Sequence, residues 1–458
     1  MNKMWAINAR LIRSVLAKSG VKPADIAGIA CCGHGKGLYL IGQDGLPVRN
    51  GILSADTRAL SYEKQWRSDG TEKAAYLYSL QHVMACQPVA LLAWLRDHEP
   101  EAIQKSQWIL SCKDYIRYRL TGEAYAELSD ASGTGLLNLH TRDYDRKLLE
   151  LFGIEAVQCA LPPLRRSMEC CGRVTANAAA ETGLCEGTPV YGGMFDIDAC
   201  ALAVGAVTDQ DLCMISGTWS INEYVSSAPV IGEDMRMNSI FCLDDRYLVE
   251  ESSATSAGNS EWFLKQILQM VPDGGKSVYE LANEAAASIP AEEPTPIYLP
   301  FIMASNVNPD AMGAFVGLSQ HQDWRHMIRS VYEGVAFCHR QHYERLLTSR
   351  IQPVREIRLA GGAARSPVWT QIFADVLGVP IRGIDAGETG TLGCAILAAA
   401  ATGCKASVEE AIRTMVRFGA LAVPDEKRVR LYNTKYQRYT KTIDALDKIW
   451  SSYRETCV

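Results

Sequence analysis

An acid that follows two glycines into a run of small residues stands in Tyr191-Gly-Gly-Met-Phe-Asp-Ile-Asp-Ala-Cys-Ala-Leu-Ala-Val-Gly. The run reads as a helix whose start leaves the Asp196 carboxylate facing a cleft, where a sugar hydroxyl is a fitting partner. The alternative makes Asp196 or Asp198 a helix-terminus acid that only complements the dipole. A second group is Glu356-Ile-Arg-Leu-Ala-Gly-Gly-Ala-Ala-Arg-Ser-Pro-Val-Trp. A short apolar strand runs there into a glycine turn and then a helix, with Ser366 as N-cap, Pro367 at the first helical position and Gly378 as the stop. Such a turn lets backbone approach a ligand closely and the helix N-terminus favours anionic or polar groups, which suits a nucleotide; an ordinary strand-to-helix connection has the same look. In Ile215-Ser-Gly-Thr-Trp-Ser a strand ends in a small, donor-rich turn able to reach β- and γ-phosphate oxygens, although hairpin turns look similar. Finally, Cys32-Gly-His-Gly-Lys-Gly is followed by Leu53-Ser-Ala-Asp-Thr-Arg. His34, Asp56 and Arg58 lie on loops after apolar strands and could read sugar hydroxyls, or could simply be solvated. Neither glycine cluster is a Walker loop: Lys36 is followed by Gly37, and Lys276-Ser277 lacks the glycine required five positions before Gly275.

These residues need elements to position them. The chain of 458 residues exceeds what one core usually supports, so two domains of roughly 200 residues, with a cleft between them, are expected. Helical and strand-like periods alternate as in an α/β protein. Leu11, Ile12, Val15 and Leu16 form a helical stripe stopped by Gly20, and Ile26 to Cys32 reads as a buried strand. Helices follow around Val89 to Leu95 and Tyr115 to Leu120, the latter ended by Thr121-Gly122, and then a polar stretch from Asp130 to Gly135. Strand signals resume near Leu212, and a charged helix begins near Arg428. The boundary is placed at 206, giving domains 1–206 and 207–458.

A formal charge of -6 and no dense Lys/Arg run argue against nucleic acid as a partner. Fifteen cysteines, scattered or in adjacent pairs without Cys-x-x-Cys spacing, and no signal peptide, fit reduced thiols in cytoplasm. The pairs Cys31-Cys32 and Cys170-Cys171 read as small apolar filler, and no protein metal site is expected. No stretch approaches 18 consecutive apolar residues, so no membrane span is expected.

Taken in order, the residues resemble the FGGY carbohydrate kinases over nearly the whole chain. The likeness rests on the His-Gly turn at His34, Pro88-Val-Ala-Leu-Leu-Ala-Trp-Leu, Cys112-Lys-Asp-Tyr-Ile-Arg, Leu161-Pro-Pro-Leu, Glu186-Gly-Thr-Pro-Val, and Phe315-Val-Gly-Leu-Ser followed by Tyr332-Glu-Gly-Val-Ala-Phe. It implies two RNase H-like domains of the actin-like ATPase type with the active site between them, ATP and Mg2+ as cofactors, and Asp196 as catalytic base. It further implies Gly217 and Thr218 at the phosphates, and Gly361, Gly362 and Ala363 at the adenosine. The 1–206 domain then binds sugar and the 207–458 domain nucleotide. Gly35-Lys-Gly-Leu-Tyr-Leu, Ile52-Leu-Ser-Ala-Asp-Thr-Arg-Ala and Ser253-Ala-Thr-Ser-Ala-Gly-Asn-Ser-Glu-Trp-Phe look most like the branch of L-xylulose and 3-keto-L-gulonate kinases. Leu91 departs from a lysine frequent in the wider family.

The resemblance implies phosphorylation of a ketose or keto-sugar acid, with Asp196 accepting the hydroxyl proton and His34, Asp56 and Arg58 holding the sugar. It also implies a β-hairpin region with an Asp-x-Gly-Thr phosphate motif ahead of the first helix. The chain opens on that helix, so a truncated first domain and poor kinase activity are expected. The runner-up reading is a catalytically impaired homologue acting as a sugar or nucleotide sensor; a transcriptional regulator would need a helix-turn-helix that the start lacks. A homodimer is left open.

Overall fold

The three glycine stops read from the sequence each follow the last residue of a helix: Gly20 after Asn2–Ser19, Gly122 after Cys112–Thr121 and Gly378 after Pro367–Leu377. The computed structural model describes residues 1–232, 235–350, 352–385 and 387–455. The chain forms two compact units. The first comprises Met1–Gly205, Ser226–Val249 and Gly387–Met415, and the second Ala206–Val225, Glu250–Ala386 and Val416–Val458.

In the first unit, helix Pro88–His98 begins with proline, whose missing N–H is harmless at that position, and buries Val89 through Ala93 together with Leu95. Trp66 packs against Phe152 with ring centroids 4.7 Å apart in the same core. The expected strand over Ile26 to Cys32 is much shorter than the apolar run. Pro23–Asp25 forms a 3-10 turn, Ile29 bridges Val190, and only Cys32–Gly33 pairs as a strand, parallel to Met194–Phe195. The run is apolar because it covers Trp5 and Leu16 of the first helix, in a cluster with Tyr39 and Val190, so hydrophobicity here reports burial without a full ladder. The polar stretch after Asp130 opens within a short helix, Leu128–Ser132.

The second unit is built on a sheet whose strands stand in the order Ser220–Ser226, Asp211–Ser216, Glu356–Gly361, Ile381–Ile384 and Phe418–Ala422. Asp211–Ser216, buried at every residue, is antiparallel to Ser220–Ser226 and parallel to Glu356–Gly361. Helix Pro367–Leu377 connects Glu356–Gly361 to its parallel neighbour Ile381–Ile384. Ser366 caps that helix by accepting the Trp369 N–H, as its sequence position predicts. The charged terminal helix runs from Glu426 to Asp447.

Helix Asp196–Val204 is made of small residues because helix Thr389–Ala401 lies against it. A side chain at Gly393 would place its Cβ 2.1 Å from the Ala199 carbonyl oxygen, a backbone atom that cannot swing away. Gly393→Ala is therefore expected to force the two helices apart at a cost of about 1–3 kcal/mol, lowering the unfolding midpoint by about 2–12 °C. Differential scanning calorimetry of the variant checks this; an unchanged midpoint contradicts the close packing.

Candidate active site

His34 and Asp196 are brought together by register. Cys32 pairs with Met194 and Gly33 with Phe195 in a parallel ladder, so His34 and Asp196 are the next residues at the carboxyl ends of two adjacent strands. Ligands collect at such ends in α/β folds. The Phe195 ring lies over Gly35, where a Cβ would come within 2.3 Å of it, locking the two loops together. His34 is half-buried, with Nδ1 3.1 Å from the Gly35 carbonyl and Nε2 3.0 Å from the Tyr39 hydroxyl.

The two acids of the helix start divide. Asp196 is partly exposed. Asp198 is fully buried, its Oδ1 accepts the Cys242 N–H at 2.7 Å, and burial raises its carboxyl far above the ordinary range, with the Glu127 charge adding to the effect. Asp198 thus ties the helix start to Cys242, and Asp196 is the acid of the pair with access to solvent.

Behind Asp196 stands a buried charge lattice. Lys113 Nζ lies 2.7 Å from Asp114 and 3.3 Å from Glu127, and Arg117 pairs with Asp114 at 2.8 Å. Each charged side chain is at most 2% exposed. Burial opposes the Lys113 and Asp114 charges, yet the facing groups outweigh it, holding the ammonium pKa above and the Asp114 carboxyl below their ordinary values. The lattice grips the segment that delivers Asp196 at three points. Arg117 donates to the Gly192 carbonyl at 2.7 Å. The Gly193 N–H donates to the Ser167 carbonyl at 3.1 Å, and the Ser167 hydroxyl donates to Glu127 at 2.6 Å. The Phe195 N–H donates to Ser129 Oγ at 3.0 Å, whose hydrogen goes to Glu127 at 2.8 Å.

Asp56 and Arg58 form a bidentate pair, Nε to Oδ1 at 2.8 Å and Nη2 to Oδ2 at 2.9 Å, and the guanidinium lies 5.0 Å over the Trp94 ring. Hydrogen bonds from Arg58 hold the Asp56 carboxyl below its usual range. Their segment joins the His34 loop through Leu38 and Ile52, which exchange N–H···O bonds at 2.9 Å.

In the second unit, Ser216 pairs with Gly361, so Gly217 and Gly362 leave the same end of neighbouring parallel strands. Both line a pocket of about 550 Å³ together with Thr218, Ser260, Asn283 and Trp369. The two predicted glycines do different work. Gly361 has φ +89°, and a Cβ there would meet the Ser216 carbonyl oxygen at 2.4 Å; at Gly362 a Cβ meets nothing closer than 3.8 Å and would project from the pocket wall. Ala363 stands apart: it is fully buried behind that wall, where its carbonyl accepts the Ser366 N–H at 3.1 Å, so it is a support and not part of the surface.

Sequence reasoning missed what holds the Gly217–Thr218 turn. Its flanking serines converge on His339: Ser220 Oγ lies 3.0 Å from Nδ1, and Ser216 bonds Ser256, whose Oγ is 2.8 Å from Nε2. Burial, then the nearby His342, drives the His339 pKa well down, so the ring is a neutral hydrogen-bonding hub. No local signal marks it, since it sits within the long helix Trp324–Leu347. Among the described residues no group of three or more His, Cys, Asp or Glu is arranged to hold a metal ion, and no helix is long and apolar enough to cross a membrane.

Similarity to known proteins extends over nearly the whole chain. The N-terminal domain of the FGGY family of carbohydrate kinases matches residues 1–203 and the C-terminal domain matches residues 212–402. An Escherichia coli (strain K12) protein named L-xylulose/3-keto-L-gulonate kinase is 35% identical over 456 residues, which cover 99% of this chain and 90% of that one. A Pasteurella multocida protein named probable L-xylulose kinase is 35% identical over 449 residues, 97% of this chain and 90% of its own. The crystal structure of xylulose kinase from Rhodospirillum rubrum superposes with a TM-score of 0.86 at 26% identity, covering 98% of this chain and 91% of that one. The ligand-bound xylulose kinase from Lactobacillus acidophilus shares the fold, with a TM-score of 0.88 at 22% identity over 98% of this chain and 90% of its own. The α/β architecture is thus the two-domain, RNase H-like fold of the actin-like ATPase type that the sequence implied.

The lattice carries a pH signature. Burial pushes the Asp130 carboxyl up to about 7, with the Lys113 ammonium 3.7 Å away opposing the shift and the Asp114 charge assisting it. A carboxyl whose folded pKa is raised stabilises the fold fully below its unfolded value, near 4, and loses that contribution as pH rises toward 7. Wild type should therefore lose thermal stability relative to Asp130→Asn as pH is raised from about 4 to 7. A difference in unfolding midpoint that stays flat across that window contradicts the assignment.

Proposed function

We propose, from the premise that this chain belongs to the FGGY family of carbohydrate kinases, that it phosphorylates a small ketose or keto-sugar acid, L-xylulose or 3-keto-L-gulonate, at the expense of ATP. The observation that carries the substrate reading is the 35% identity, across 99% of the chain, to the kinase named for those two sugars. The first unit supplies the sugar site, with His34, Asp56 and Arg58 as the polar groups for the hydroxyls and Asp196 as the base. Asp196 accepts the proton of a terminal hydroxyl as that oxygen attacks the γ-phosphorus. The second unit supplies the nucleotide site, with backbone donors of the Gly217–Thr218 turn at the phosphates and Gly362 against the adenosine. Mg2+, when bound with ATP, would neutralise phosphate charge during transfer. The enzyme is assigned to the cytoplasm, in keeping with cysteines that are free throughout the described residues.

Asp196→Asn keeps the shape of the side chain and removes its basicity, so kcat should fall at least about a hundredfold while calorimetric ATP binding stays near wild type. Turnover of L-xylulose or 3-keto-L-gulonate by the variant at the wild-type rate removes Asp196 from the mechanism. Efficient phosphorylation of glycerol or an aldose, with both ketoses ignored, overturns the substrate assignment.

A Cβ at Gly362 comes no closer than 3.8 Å to the protein, so Gly362→Val should narrow the pocket, raising the KM for ATP at least about tenfold with the unfolding midpoint and the sugar KM little changed. Equal losses for both substrates contradict its placement at the nucleotide.

A further inference from the structure

We propose that Asn283 reads the base of the nucleotide, presenting one fixed amide donor that selects a heterocycle with a ring-nitrogen acceptor on the facing edge. The inference rests on reading the second unit's pocket as the ATP site and names the residue that gives it base selectivity.

Asn283 lies on helix Val278–Ala287 and lines the pocket. Its Oδ1 is taken twice: the Ser366 hydroxyl donates to it at 2.7 Å and the Tyr332 hydroxyl at 2.9 Å. Ser366 cannot turn its hydrogen elsewhere without loss, because its oxygen already accepts the Trp369 N–H at 3.2 Å and the remaining hydrogen needs an acceptor. Tyr332 is equally constrained. Its ring is stacked on Trp369 with centroids 4.0 Å apart and planes 4° from parallel, while the Trp369 indole N–H donates to the Tyr332 carbonyl at 3.0 Å. The Ser366 hydrogen, which needs an acceptor, thus sets the facing end of the amide as oxygen, and the Tyr332 hydroxyl donates to the same atom. The Nδ2 group makes no hydrogen bond among the described residues and is the end left for the pocket.

The pocket also holds Arg365 and the Gly217–Thr218 turn, the groups for phosphate, whereas the Asn283 donor is neutral and stands beside the Tyr332 and Trp369 rings, which suits a flat, uncharged heterocycle. An N–H donor pairs with a ring nitrogen such as N1, N3 or N7 of adenine. It cannot pair with the exocyclic amino group, which is itself a donor.

The test is a panel of ATP and its 1-deaza, 3-deaza and 7-deaza analogues, each lacking one ring acceptor, with KM measured at saturating sugar. On the wild type, one analogue should show a KM raised about 5- to 50-fold, the range for leaving a partly buried donor unpaired, and the other two should behave as ATP does. Asn283→Asp keeps an oxygen for both hydroxyls and replaces the donor with a second acceptor. In that variant ATP should weaken and the penalty of the discriminating analogue should vanish, with the sugar KM unchanged. An Asn283 that only braces Ser366 and Tyr332 would leave the analogue pattern untouched by this substitution. Equal use of all four nucleotides by the wild type, or full discrimination retained in Asn283→Asp, overturns the proposal. If Gly362→Val also leaves ATP binding unchanged, the pocket assignment falls with it; if Gly362→Val alone weakens ATP, only the base reading falls.

Discussion

Two buried cations facing buried carboxylates, with Lys113 at their centre, form the constraint on which the first unit depends. Such a lattice contributes little net stability compared with an apolar core of the same shape, but removing one member leaves an uncompensated buried charge at a cost of about 3–5 kcal/mol. Its value here is positional. Glu127 and Arg117 reach, directly or through Ser129 and Ser167, the backbone at Gly192, Gly193 and Phe195. That fixes the backbone from which the Asp196 side chain projects.

The second unit repeats the device with different chemistry. In each unit the candidate residues follow two adjacent parallel strands, Cys32–Gly33 beside Met194–Phe195 and Asp211–Ser216 beside Glu356–Gly361. In each, a positive-φ glycine presses against a carbonyl of the neighbouring strand segment: Gly193 on Cys31, where a Cβ would stand at 2.0 Å, and Gly361 on Ser216 at 2.4 Å. Charge supports the first turn and a neutral histidine the second. The difference suits the roles proposed for the two turns, because a site for phosphate oxygens must offer donors and would be harmed by carboxylates behind it, whereas a proton acceptor benefits from a rigid, compensated surround.

The local motifs were legible because they rest on local physics. The Ser366-Pro367 start and the Gly378 stop are fixed by capping and by the missing N–H of proline, and the strand ahead of Gly217 by its unbroken apolar run. The extended segment at Ile26 to Cys32 was misjudged in length because burial, not pairing, selects its side chains. Two kinds of feature had no sequence signature. One is the supporting groups His339 and Asn283, whose roles arise only when distant segments meet, as does the role of Lys113, Asp114 and Arg117, which the Cys112-Lys-Asp-Tyr-Ile-Arg motif marked without explaining. The other is the return of Ser226–Val249 and Gly387–Met415 to the first unit, where Gly393 lets helix Thr389–Ala401 press on the helix that begins at Asp196.

The central claim is that the braced Asp196 carboxylate takes the proton from the sugar, and the pH dependence of kcat/KM for the ketose at saturating ATP tests it most directly. Wild type should show an acid limb falling about tenfold per pH unit as the base is protonated. In Asp196→Asn, measured at the higher enzyme concentration its slow turnover requires, that limb should be absent. An acid limb of the same slope and midpoint in both proteins would mean that another group is the base.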